Sequence, residues 1–325
     1  MSTLDVSDPT IRMSGLGGSD AATAVGKNPY KTALELYLEK AGEIPDTFEG
    51  NEATKWGNIL EEPVAQAYAE ATGSKVARVN RTLRNEAYPW AFAHVDRRVL
   101  NTNPTKGLEV KTGGFYSMKD WGDEGTDEVP LHYLLQVQHY LGVTGWSGMD
   151  VAALLNTSDF RIYVVPRNET LIAVLMEKEA EFWRRVQERD PPEPQTLGDC
   201  DLRWSKSLGE VAYADDGIRD AVLRLAALKA EIKELTAAAT DERIAISKAI
   251  GDAESLVHKS DPSKAIVTWK SSRSFDERFF REAHPDLWEE HSRPKLDRKS
   301  LEKAERKLYA EFKSLGGSRR FLLKV

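Results

Sequence analysis

Apolar positions recur with two different periods along the first 190 residues. Between positions 51 and 72, Leu60, Val64, Ala67, Tyr68 and Ala71 fall at helical spacing, and Gly73 stops the pattern. That predicts one amphipathic helix with a single buried stripe, with Glu61 at the stripe's edge and Glu62 more exposed. A shorter helix is predicted through Lys40, capped by Thr32 and carrying Leu34, Leu36, Tyr37 and Leu38. Upstream, Ser14-Gly-Leu-Gly-Gly-Ser-Asp20 precedes the apolar run 21–25, with Ser19 or Asp20 as the expected N-cap. Period-two runs follow. Residues 75–83 and 92–100 read as strands, 101–107 as a turn, and 108–112 as a second short strand.

A polar, glycine-containing loop is expected over 113–128. Its Tyr116, Met118, Lys119 and Trp121 suit either stacking on a nucleic-acid end or covering the core. Pro130 opens a helix over 131–143, strands follow at 149–155 and 160–165, and 170–188 is a further amphipathic helix. Strand, helix, strand implies a crossover and a mixed sheet, an α/β architecture. Asp190-Pro-Pro-Glu-Pro194 is the predicted domain end, giving a core at 1–194 and an appendage at 195–325.

The appendage has a third period. Ile218, Leu225, Ile232, Ala239, Ile246 and Ala253 fall at sevens, with Ala221, Leu228, Leu235, Ala249 and Leu256 in companion positions. This predicts helix over 216–259, with Thr240-Asp241 as the candidate break, that forms either a hairpin packed on itself or an association surface. Residues 264–270 alternate like a strand that 320–325 is available to pair, with charged helix at 299–312 between them.

The chemistry concentrates on the hairpin at 92–112. Alternation puts Glu109 and Lys111 on one strand face and Leu108 and Val110 on the other. Asp96, across the turn, is placed to join Glu109. Two carboxylates beside an ammonium suit phosphodiester hydrolysis: hard oxygen ligands hold Mg²⁺, and the lysine orients water or neutralises phosphate. Asp followed about a dozen residues later by Glu-x-Lys resembles the PD-(D/E)xK nuclease signature. On these residues alone, a solvated strand face with one ion pair is the competing reading.

Composition narrows the classes. The chain has 325 residues and is 41% hydrophobic and 30% charged, enough to bury a core. No apolar run is long enough for a membrane-spanning helix, and the first residues lack a signal-peptide pattern, so a cytoplasmic protein is expected. The single cysteine, Cys200, excludes an internal disulfide and a cysteine-bound iron–sulfur cluster. Net charge is −7, unevenly spread: residues 263–325 hold 16 Lys/Arg against 10 Asp/Glu, leaving 29 against 42 in the remainder. A basic groove remains compatible with that balance; non-specific coating of nucleic acid does not.

Residues 12–189 resemble the YqaJ-type viral recombinase family, which includes lambda exonuclease. The matching blocks come in order: GLGGSDAA with Arg12 seven residues before Ser19, WGNILEEPVAQAY, HVDRRV, LEVKT, and VPLHYLLQVQHYLGVTG. The resemblance implies a PD-(D/E)xK restriction-endonuclease-like core, a mixed sheet flanked by helices. It further implies that Asp96, Glu109 and the Val110 carbonyl hold Mg²⁺ (Mn²⁺ is the alternative), that Lys111 positions and activates water, and that Glu61 serves a second metal. Gln136 would brace the site, and Arg12 and Ser19 would hold a DNA 5′-phosphate.

Two positions depart from the family pattern. Arg97 replaces the usual glycine after the aspartate, and His94 stands where lambda exonuclease has a serine of the phosphate pocket. Strand alternation puts His94 on the face of Asp96, where its protonated form would contact phosphate. The expected activity is a metal-dependent 5′→3′ exodeoxyribonuclease on double-stranded DNA ends, leaving 3′ single strands for a single-strand annealing protein. A homo-oligomer is expected, a trimer by resemblance. An endonuclease or single-strand nuclease on the same fold, and a DNA-binding recombination scaffold with an idle site, are the alternatives.

Overall fold

The computed structural model describes residues 9–45, 52–207, 209–270, 277–291 and 303–307. They fall into two units, Met1–Trp204 and Ser205–Val325.

The first unit opens with α1 (Pro9–Met13), α2 (Gly18–Ala24), α3 (Ala33–Lys40) and α4 (Glu52–Thr72). The N-cap of α2 is Gly17 rather than Ser19 or Asp20. Asp20 sits three residues further in and accepts from the Gly17 N–H at 3.1 Å, closing the cap from inside the helix. The glycines before it are steric requirements. A Cβ on Gly15 would lie 2.0 Å from the Trp90 carbonyl oxygen, and one on Gly18 would lie 2.3 Å from the Tyr140 ring. Close approach lets Leu16 bridge to Ala91 by exchanging main-chain hydrogen bonds with Trp90 and Phe92.

The strands β1 (Val76–Arg78), β2 (Leu83–Asn85), β3 (Tyr88–Ala93), β4 (Arg97–Val99) and β5 (Lys106–Gly113) follow. A short 3-10 helix (Phe115–Asp120) leads through a loop to α5 (Leu131–Thr144), β6 (Gly148–Leu155), β7 (Asp159–Pro166), α6 (Glu169–Glu188) and α7 (Leu197–Arg203). The expected strand over 92–100 is two strands in two sheets: β3 pairs with β2, and β4 joins the main sheet. The predicted strand at 75–83 divides in the same way.

The main sheet has the order β1-β4-β5-β6-β7. Only β5 and β6 run parallel, joined by the α5 crossover, so the sheet is mixed and its two parallel strands are central. Helices cover both faces. Val137, Leu141, Ile172 and Met176 from α5 and α6 pack with Met149, Val151 and Ala153. On the opposite face, Val64 and Tyr68 of α4 pack with Leu108, Val110 and Ala152. Ala71, expected in that stripe, is exposed, and Ala65 is buried instead.

The Pro-rich break at 190–194 does not close this unit. Asp199 of α7 accepts from the Thr32 hydroxyl at 2.6 Å and from the N–H groups of Gln195 and Thr196. The cap residue of α3 therefore also anchors α7.

In the second unit, α8 runs from Asp216 to Ile250, followed by β8 (Ser255–His258), β9 (Asp261–Thr268), α9 (Glu277–Ala283) and α10 (Pro285–His291). Thr240-Asp241 does not divide α8. The Thr240 hydroxyl donates back to the Thr236 carbonyl at 2.7 Å, a bond that keeps threonine inside a helix. The helix stops at Gly251, whose φ of 54° suits glycine, so the heptads end before Leu256, which lies in β8. Strand β9 pairs with β8; the proposed partner at 320–325 and most of the helix at 299–312 lie outside the described residues. The heptad residues Ile218, Leu228, Ile232 and Leu235 are exposed. Among the described residues, no helix is long and apolar enough to cross a membrane.

Candidate nuclease site

The site is built on β5. Its alternation sends Leu108 and Val110 into the α4 face and turns Glu109 and Lys111 toward α5. Glu109 is nevertheless only 2% exposed. Its Oε1 accepts from Lys111 Nζ at 2.8 Å and from Gln136 Nε2 at 2.8 Å. Its Oε2 is buried with no hydrogen-bond partner among the described residues.

Asp96 reaches the same spot by a different route from the one alternation predicts. It is not in a strand. The β4–β5 ladder begins at Arg97 opposite Leu108, so the Val110 N–H extends beyond the end of β4. The Asp96 carboxylate takes that N–H at 2.9 Å and so extends the ladder with a side chain. Arg97, paired with Leu108, shares its face and points toward α4.

These environments set the charges. Burial, then the neighbouring Asp96 charge, pushes the Glu109 carboxyl up to about 8, against the pull of Lys111. Burial likewise raises Asp96, opposed by Lys111 and the Val110 N–H. For Lys111, burial disfavours the ammonium, but Glu109 and Asp96 outweigh it and the net direction is upward. Lys111 also lies 4.8 Å from the centre of the Tyr133 ring, which favours a cation.

A cleft of roughly 670 Å³ opens over this group. It is lined by Ser19, Glu61, Asp96, Glu109, Val110, Lys111 and Gln136, seven of the nine residues singled out in the sequence. Arg12 and His94 are not among its lining residues. His94 lies in the loop after β3, so strand alternation does not place it beside Asp96. Its Nε2 is 2.9 Å from the Thr82 hydroxyl, and burial, Arg84 and Arg12 all lower its pKa, against the protonated form expected for a phosphate contact. Arg84, not singled out in the sequence, donates to Ser14 at 3.0 Å and lies over Phe92. The loop aromatic Trp121 belongs to the core, stacked with Tyr133 and Tyr163.

Sequence reading missed His132, Tyr133, Asn28, Asn58 and Tyr30 in the cleft wall. The first two had a signal: they precede Gln136 by four and three positions on one helix, so they share its face. It also missed what Glu61 does. Arg97 Nη1 donates to Glu61 Oε1 at 2.6 Å and to the Asp96 carbonyl at 2.8 Å, and Nη2 donates to Glu62 at 3.0 Å.

The second glutamine of the Gln-Val-Gln run is structural. Gln138 donates to the Pro166 carbonyl at 2.8 Å and accepts from the Asn168 N–H at 3.0 Å. His139 is buried between Glu179, at 2.9 Å, and the Phe92 carbonyl.

Residues 10–147 match the YqaJ-like viral recombinase domain. The uncharacterised protein YqaJ of Bacillus subtilis (strain 168) is 38% identical over 174 residues, 53% of this chain and 53% of that protein. The chain thus spans about half the length of the curated relative it matches. Among solved structures, an alkaline exonuclease (LHK-Exo) from Laribacter hongkongensis is 18% identical, with 56% of this chain and 92% of that one covered and a TM-score of 0.45. A phage-related exonuclease from Haemophilus somnus 129PT is 14% identical, with 54% and 94% covered and a TM-score of 0.42. The chain is thus similar to the YqaJ-like viral recombinase domain over residues 10–147, the stretch that holds Asp96, Glu109, Lys111 and the α5 crossover of a mixed α/β sheet.

Proposed function

We propose that the first unit is a metal-dependent deoxyribonuclease that degrades double-stranded DNA from its ends, 5′ to 3′. The observation that carries this reading is the unpartnered, buried Oε2 of Glu109, beside Asp96 and Lys111 at the wall of an open cleft. A buried carboxylate oxygen without a donor is costly in a finished core and suits a site that takes a cation. The donor set, carboxylates with a main-chain carbonyl, is oxygen-only and so fits Mg²⁺ or Mn²⁺.

Asp96, Glu109 and the Val110 carbonyl would hold the ion. Once bound, the ion supplies a lowered pKa for water and charge stabilisation at the phosphate. The rest falls to the chain's own groups. Lys111 is held as an ammonium, so it orients water and balances phosphate charge as a donor. Gln136 occupies Glu109 Oε1 together with Lys111, leaving Oε2 to face the ion. The Tyr133 ring keeps Lys111 at its post. Ser19 in the cleft wall, with Arg12 outside it, would contact the 5′-phosphate, so each cut would present a new end to the same residues. The product would be a 3′ single strand, the substrate of an annealing protein.

The test is digestion of linear duplex DNA with Mg²⁺, comparing 5′-phosphate with 5′-hydroxyl ends, beside a closed circle. Loss of linear DNA alone, faster from 5′-phosphate ends and abolished in Lys111→Ala, is the expected result. Cutting of the circle would make it an endonuclease instead.

A further inference from the structure

Glu61, the one carboxylate of α4 in the cleft wall, and its neighbour Glu62 are already neutralised from within. Arg97 is 3% exposed, and its guanidinium spans Glu61 and Glu62 while also bonding the Asp96 carbonyl. Glu62 takes two further bonds from Arg78, at 3.0 and 2.6 Å, and Arg78 lies directly opposite Arg97 in the β1–β4 ladder. Arginine does not shed its proton, so this positive charge is permanent. A divalent ion drawn to Glu61 would meet a fixed cation within hydrogen-bond reach of the same carboxylate, and taking that carboxylate would strip the buried guanidinium of one of its two anionic partners. Among the described residues, no group of three or more His, Cys, Asp or Glu side chains is gathered to hold a metal ion. Glu61, Asp96 and Glu109 line one cleft, and of the three carboxylates Glu61 is the one that an arginine holds.

We infer that Arg97 is a built-in second cation: it reserves Glu61 for itself, and the site takes one divalent ion on Asp96 and Glu109 rather than two. This rests on the metal-dependent reading above. Arg97 acts as a positioning residue. Its bond to the Asp96 carbonyl fixes the loop that presents the Asp96 carboxylate, and its charge stands beside the ligand pair where a second ion would otherwise be drawn. The arginine that departs from the family's usual glycine thus changes the metal count of the site rather than its end recognition.

The experiment is a Mn²⁺ titration of the full chain, read as loss of the free-ion electron paramagnetic resonance signal. Wild type should bind one Mn²⁺ per chain, and Asp96→Asn with Glu109→Gln should abolish it. Glu61→Gln should leave the count at one. Arg97→Gly should raise the count to two, and adding Glu61→Gln to that variant should return it to one. Two ions in wild type, falling to one in Glu61→Gln, would overturn the inference while keeping the metal-dependent reading. If Arg97→Gly fails to fold, the wild-type and Glu61→Gln counts decide. No Mn²⁺ bound by wild type, or an ion indifferent to Asp96 and Glu109, would overturn the metal-dependent reading and the inference with it.

Discussion

Two carboxylate pairs flank the β4–β5 edge, and they are neutralised in opposite ways. Asp96 and Glu109 share one ammonium, Lys111, and keep a buried oxygen with no donor. Glu61 and Glu62 share two guanidiniums, Arg97 and Arg78. One pair is short of positive charge and the other is saturated. In the proposed reading the first would receive a cation, whereas the second ties the helix that walls the cleft to β1 and β4. Proximity of carboxylates to a cleft is therefore a poor guide to metal binding until the cations around them are counted.

The largest effect that would break this contrast lies in the cation-poor pair. Lys111→Ala or Glu109→Gln should lower nuclease turnover by about 10³-fold with the fold retained, as expected when a transition-state charge loses its stabilising group. Turnover on linear duplex DNA, alongside circular dichroism, checks it.

Next comes a buried pair whose cation can be switched. His139 and Glu179 are both fully buried. Burial lowers the His139 pKa, but Glu179 and the Phe92 carbonyl outweigh it, so the net direction is upward. A raised histidine pKa stabilises the fold fully below the unfolded value, near 6.5, and that contribution fades as pH rises through the folded value. Glu179→Gln should therefore cost about 3 kcal/mol in urea unfolding below pH 6.5, with the gap narrowing at higher pH. A gap independent of pH would show that the pair is not charged.

Arg97→Ala is the counterpart with a fixed cation. It should destabilise by about 2 kcal/mol, discounted because Glu61 is partly exposed, with no narrowing between pH 6 and 9. Smallest of all, Arg78→Ala should move the thermal midpoint less than Arg97→Ala, because both members of its pair with Glu62 are in water.

Much of the site was legible in sequence because its logic is local. Strand alternation put Glu109 and Lys111 on one face, and the structure joins them at 2.8 Å. Helical spacing found α3, α4, α5 and α6, and the strand–helix–strand order found the mixed sheet. The misses were of two kinds. His94 and Asp96 were assigned by alternation across a segment that is a loop, so the rule had no strand to act on. Glu179 looked like one more polar residue of an amphipathic helix, because its partner His139 lies 40 positions away. The N-cap, expected at Ser19 or Asp20, falls within the same first kind, since local propensity cannot see that Gly15 and Gly18 of the motif are demanded by the backbone of β3 and the ring of Tyr140.

The sequence by itself determined which residues are the candidates for the chemistry. The Glu-x-Lys lies within one strand and Gln136 within one helix, where backbone geometry sets their direction, whereas Asp96 is placed by a loop and its bond to the Val110 N–H. Only the tertiary structure decided which charges neutralise which. Arg97 and Glu61 are 36 positions apart, and they meet because α4 packs on the face of the sheet to which Arg97 is turned by its pairing with Leu108. Charge pairing acts through space at a few ångströms, so its outcome depends on how the elements pack and not on their order along the chain.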